Sequence, residues 1–181
     1  KKHGRQSYHP LLAFESRFQE FWHGSLRPGN AGAATGAKPF IEVCLAKVPK
    51  RIPRSRIRFR IDSGFFGRRV VEFLDGNGYG FVIVAVERAS IKAKAQICSF
   101  AKMSNGWEIG QFWHRPKTWG TGKKHRFVVA RRPIPDDPVE AQQLNLFKDS
   151  RYAYHVFITN LKISAWRVYR FYSPRARIER H

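Results

Sequence analysis

The stretch "RIRFRIDSGFFGRRVVEFLDGNGYGFVIVAV", residues 56–86, decides the fold. It opens by alternating. Ile57, Phe59 and Ile61 fall on one side of an extended chain, and Arg58, Arg60 and Asp62 on the other, because successive side chains of a strand point to opposite faces. "GRRVVEFLDGNG" then has the spacing of a short helix, and its glycines stop it, since glycine enters a left-handed C-terminal turn without steric cost. "YGFVIVAV" is a continuous β-branched run, which suits a strand buried on both faces. Strand, helix and strand in that order predict a parallel crossover inside an α/β layered domain.

Upstream, "SYHPLLAF" (7–14) and "EFWHGSLRPGN" (20–30) read as neighbouring strands, with Pro28 and Gly29 breaking the second. Thr35 is placed to cap a helix running to about Val48, with Phe40, Val43 and Cys44 on its inner face. Pro39 is tolerated there only in the first turn. Downstream, from Glu87 to about Tyr152, short strand-like pieces ("SIKAKAQICSF", "GWEIGQFWH", "HRFVVARR") alternate with glycine, proline and lysine. They predict a small antiparallel β insertion, followed by a proline-rich loop, "PIPDDPVEAQQLNL". "YAYHVFITN" is a further strand. "AWRVYRFYSPRARIERH" is helical in composition, with Ser173 as cap and Pro174 as first residue of a restarted helix.

Composition narrows the function. The chain has 181 residues, 34 Lys+Arg against 13 Asp+Glu, and a net charge of +21, which points to a polyanionic partner. No apolar run approaches the length of a membrane span and no long basic amphipathic helix is evident, so a membrane partner is not expected. Fifteen Phe and five Trp argue against a small ribosomal-type protein, the plain alternative for such charge. Two distant cysteines without a CxxC pair argue against structural zinc, and suit a reducing, cytoplasmic compartment. The chain opens without Met and closes in a helix-like pattern, which predicts a piece of a longer protein.

Asp62 stands out as an acid in this basic background. A surface acid satisfied by neighbouring arginines accounts for it as well as a metal-binding carboxylate does, though a strand end followed by small residues is open to both metal and substrate. Arg175 and Glu179 share a helix face four residues apart; by themselves they read as an ordinary ion pair, worth about 0.2–0.5 kcal/mol. "RPKTWGTGKKHR" (115–126) mixes cations with Trp119. It reads equally as a solvated basic hairpin or as a phosphate-contacting loop, in which Lys123 and Lys124 meet the backbone and Trp119 stacks. "GNGYG" (76–80) precedes a strand instead of following one, the wrong context for a dinucleotide loop. Asp136 and Asp137, flanked by prolines, read as a solvated turn.

"GRQSYHPLLAF", "LRPGNAG", "IDSGFF", "RFVVAR" and the Tyr-x2-Arg-x3-Glu spacing of Tyr172, Arg175 and Glu179 occur in that order over nearly the whole chain. Together they resemble the DDE transposases of bacterial insertion sequences, in the subgroup with a β-rich insertion before the last catalytic glutamate. The resemblance implies a ribonuclease-H-like mixed sheet flanked by helices, with residues 1–86 as the first part of the core and 87–152 as the antiparallel β insertion. Residues 153–181 are then the last strand and the Glu-bearing helix. It implies that Asp62 and Glu179 are the second and third catalytic, metal-binding carboxylates, and that Tyr172 and Arg175 lie near the scissile phosphate. The family's first carboxylate and first strand fall upstream of "GRQSYHP", so the chain alone is expected to be inactive. The implied cofactor is Mg2+ or Mn2+, two ions in the complete site. The implied partners are the terminal inverted repeats and the target DNA, bound by a homodimer on paired ends in the bacterial nucleoid. A non-catalytic basic nucleic-acid-binding protein, or a degenerate relative of the transposases, is the competing reading.

Overall fold

The computed structural model describes residues 8–32, 34–104, 106–134, 147–148 and 151–173. It opens with an antiparallel hairpin of β1 (Leu11–Glu15) and β2 (Glu20–Ser25), which forms a two-stranded sheet of its own. Helix α1 (Ala37–Ala46) follows. Its cap is Gly36, at φ 73, and not Thr35. A left-handed residue at that junction favours glycine, and the Thr35 carbonyl instead accepts from Arg27 Nη1. Pro39 does lie in the first turn. Phe40, Ile41 and Cys44 are buried, whereas Val43, expected inside, is 44% exposed.

The crossover is present as read. β3 (Arg58–Ile61) and β4 (Gly80–Val84) pair in parallel, Arg58 opposite Gly80 and Ile61 opposite Ile83, and α2 (Arg68–Gly76) joins them. Gly78 takes φ 75 just after α2, the left-handed turn that the glycines of "GNG" allow. β4 is buried along its whole length.

The segment after β4 departs from expectation at its start. "SIKAKAQI" alternates like a strand, yet Ala89–Ile97 is a helix, α3, with Ile91 and Ala95 buried. Alanine, lysine and glutamine are strong helix formers, and a buried pair four residues apart is all the sheet needs from this element. Beyond it, β5 (Phe100–Lys102), β6 (Glu108–His114) and β7 (His125–Pro133) are antiparallel as expected. They belong to the main sheet. β7 pairs along its length with β9 (Tyr152–Thr159), and β9 pairs antiparallel with β4, so one sheet runs in the order β3-β4-β9-β7-β6-β5. β8 (Phe147–Lys148) pairs with β9 at Ala153 and Tyr154, beyond the residues that β4 occupies.

The sheet has two unlike faces. On one, α1, α2 and α3 cover Ile61, Phe81, Ile83, Phe127, Val129, Val156 and Ile158, which together with the helices form the larger core. On the other, Val82, Val84, Val128 and Phe157 meet the final helix, α4 (Ala165–Tyr172), through Val168 and an aromatic fringe. The protein is thus a mixed α/β domain with a mixed sheet flanked by helices.

Candidate active site and nucleic-acid interface

β3 carries the first element of the site. Ile61 joins the larger core, and Arg60 stands opposite Val82 of the α4 side. Strand alternation therefore puts Arg58, Arg60 and Asp62 on the α4 face. Asp62 ends the strand in extended conformation and caps a single 3-10 turn, Ser63–Phe65. Its Oδ1 accepts from the Gly64 N–H at 2.7 Å, and its carbonyl accepts from the Phe65 N–H. The small residues after the aspartate have a local use here: they let the chain turn tightly enough to bring an N–H onto the carboxylate.

α4 supplies the second element. Ser164 caps it, accepting from the Arg167 N–H at 3.3 Å, and Val168 is fully buried against the sheet. Tyr172 packs on Phe157 with ring centroids 4.9 Å apart. The last turn meets β3 directly. Arg60 Nη1 donates to the Phe171 carbonyl at 3.3 Å, across 111 residues of chain, and its guanidinium lies 5.4 Å from the Phe171 ring. The strand that ends in Asp62 and the helix that ends in Tyr172 thus converge on one face. Ser173 keeps helical backbone angles and its hydroxyl donates to the Tyr169 carbonyl, so it closes α4 where the sequence suggests a new cap. Pro174, Arg175 and Glu179 lie outside the described residues, as do Asp136 and Asp137.

The same face holds groups that the sequence did not single out. Trp107 lies 5.4 Å from the His155 ring and 4.9 Å from Tyr169, and the Arg132 guanidinium sits 5.4 Å over Trp107. Burial, aided by the Arg132 charge, pushes His155 down to about 4. Burial pushes the Tyr169 phenol up, although a hydrogen bond with Ser173 and the Arg132 charge pull the other way. The alternation of β7 and β9 marks Arg132 and His155 as in-or-out positions, but nothing local tells which face becomes this one.

The basic loop lies elsewhere. Trp119 is 5% exposed, with ring centroids 5.4 Å from Phe66 and 5.6 Å from His125, in the core on the helix-covered face. It has no open ring face for a base, and the stacking role expected of it is corrected to that of a core plug. Lys123 is ion-paired with Asp75, whose Oδ1 also accepts from Asn160 Nδ2 at 3.0 Å. Burial would raise the Asp75 carboxyl, but the hydrogen bonds from Lys123 and Asn160 outweigh it and hold it below its ordinary value. Lys124 is exposed. A cleft of about 210 Å³ opens between this loop and α2, lined by Asp75, Arg115, Trp119, Lys123 and His125 among others. Asp62 and Tyr172 thus share a face, and Trp119 belongs to the opposite one.

Among the described residues no group of three or more His, Cys, Asp or Glu could hold a metal ion, and no helix is long and apolar enough to cross a membrane. The α4 face offers one half-buried carboxylate, Asp62, a hard oxygen donor at an accessible strand end. That donor fits magnesium in kind but supplies only part of a ligand set.

A family model described as "Transposase DDE domain group 1" matches residues 2–181. No curated protein matches the chain.

Proposed function

Because the chain belongs to the family of transposase DDE domains, we propose that its α4 face is the active-site face of a DNA strand transferase, with Asp62 and Glu179 as metal-binding carboxylates. The observation that carries this reading is the Arg60–Phe171 contact, which brings the end of β3 and the end of α4 together. Glu179 follows Tyr172, the last residue of α4, by seven positions in the sequence.

In this reading the fold is ribonuclease-H-like, with β3, α2 and β4 as its crossover and the strands of 87–152 as an elaboration that extends the sheet. Among the described residues β3 pairs only with β4. Its other edge is where a further strand, carrying the family's first carboxylate, would add. The reaction joins an attacking oxygen, from water or from a DNA 3′-hydroxyl, to phosphorus while the bond from phosphorus to the leaving 3′-oxygen breaks. The attacker's proton passes to solvent, and the leaving oxygen is released protonated. Bound magnesium or manganese would supply Lewis-acid stabilisation of the attacking and leaving oxygens. The chain's own residues do the rest: Asp62, fixed by the Gly64 N–H, presents a carboxylate of set orientation. Tyr172 and Arg175 contact the phosphate, and Arg60 ties helix to strand.

The test is magnesium-dependent nicking of a duplex bearing the element's own ends. A longer protein that includes the first carboxylate should nick. Asp62→Ala in that protein should abolish nicking and leave duplex binding within about twofold, because one neutralised carboxylate barely changes phosphate attraction. If the 181-residue chain nicks as well as the longer protein, a three-carboxylate mechanism is wrong.

A further inference from the structure

Residues 115–124 contain four cations, Arg115, Lys117, Lys123 and Lys124, and no acid. Loops of this composition are ordinarily loose, because like charges repel and nothing apolar anchors them. Here the loop is fastened at several points. Trp119 plugs the core between Phe66 and His125. Arg115 Nη1 closes the loop on the Gly122 carbonyl at 2.6 Å. Thr118 accepts from Arg88 at 2.5 Å. Lys123 is tied to Asp75, which Asn160 holds in place while also donating to the Tyr79 carbonyl. The cations remain outward: Arg115, Lys117, Lys123 and Lys124 are all exposed, and so are Arg68 and Arg69 in the first turn of α2. The two groups adjoin, since a β-carbon on Gly120 would stand 3.2 Å from Arg68 Nη1.

The geometry points to a second nucleic-acid backbone site on the helix-covered face, formed by Arg115–Lys124 and the start of α2 and held ready by the Asp75–Lys123 latch. The inference rests on the DNA-binding reading above and adds to it a surface across the sheet from Asp62. Its ligand is the phosphate backbone of a duplex. A cationic loop that is fastened in advance loses less freedom on binding than a mobile one, and each phosphate it neutralises releases counterions. Asp75 is a positioning residue here: it touches no ligand and acts through Lys123.

The experiment measures affinity of the protein for a short random-sequence duplex across a salt series. Lys117→Gln combined with Lys124→Gln should lower the slope of log K against log salt by about 2. Lys50→Gln with Arg51→Gln, an exposed pair elsewhere, serves as control and should lower it by less. Asp75→Asn separates latch from charge. It makes the protein more positive, so attraction alone would tighten binding, whereas loss of the latch should weaken it on the order of fivefold. Acetylation of the unmodified protein with and without duplex gives a readout independent of any variant: Lys117 and Lys124 should be protected. Tighter binding by Asp75→Asn, equal losses in both lysine and control pairs, or unprotected Lys117 and Lys124 would each overturn the site. A wild-type protein that shows no salt-dependent duplex binding would instead overturn the DNA-binding reading itself.

Discussion

The two faces of the sheet are built from different materials. The core under the helices of the first face is apolar: Val71, Leu74, Phe81, Ile83, Ile91, Phe127, Val129 and Ile158 are fully buried. The face under α4 is aromatic and charged at its margin, where Arg60, Asp62, Arg132 and His155 stand among Trp107, Tyr169 and Tyr172. Apolar packing stabilises in proportion to the area removed from water, so the first face contributes most of the stability. Partly buried charge is costly; on the first face it sits in ion pairs such as Arg131–Glu108 and Lys123–Asp75, and on the second it borders the end of β3. The comparison teaches a division of labour within one sheet, and it can be broken experimentally.

The largest expected effect is on the helix-covered face. Phe127→Ala should cost about 3–5 kcal/mol by leaving a cavity in the larger core, read as a lowered midpoint in urea unfolding. Tyr172→Ala, on the half-exposed margin of the other face, should cost clearly less. Equal losses would refute the division.

Next comes the pH response of the α4 face. His155 titrates at about 4 in the folded protein against 6.5 for a free histidine. As pH falls the unfolded chain therefore takes up this proton first. The contribution is fully present above about pH 6.5, is lost as pH falls toward 4, and changes no further below that, for a total of about 3 kcal/mol. Burial lowers His114 and His125 as well, so they act in the same direction. Unfolding free energies measured from pH 7.5 to 4 should fall, and His155→Phe should flatten the curve. An unchanged slope in that variant would mean that His155 is not held neutral by its surroundings.

The smallest effect concerns the tie between strand and helix. Arg60→Met keeps the apolar stem but removes the hydrogen bond to the Phe171 carbonyl and the guanidinium–ring contact. The cost should be about 1 kcal/mol, with faster amide exchange confined to the last turn of α4. Exchange that accelerates throughout the sheet would show that Arg60 supports the core and does not merely hold the helix end.

What the sequence determined by itself is local. The alternation of residues 57–62, the helical spacing of 68–76 and the continuous apolar run of 80–84 each encode their element within a few residues, so the crossover and the face of Asp62 were legible. Periodicity misled at "SIKAKAQI", where an alternating pattern is outweighed by the helix propensity of its residues and by the sheet's need for only Ile91 and Ala95. Tertiary structure alone decided the rest. That β7 pairs with β9 and draws β5 and β6 into the main sheet is a long-range pairing with no local signature. So is the burial of Trp119, whose neighbours Phe66 and His125 come from different elements. The Arg60–Phe171 contact is of the same kind. A side chain's face is set by backbone period and can be read along the chain; its partner is set by which strands close against one another, a choice made by the core as a whole.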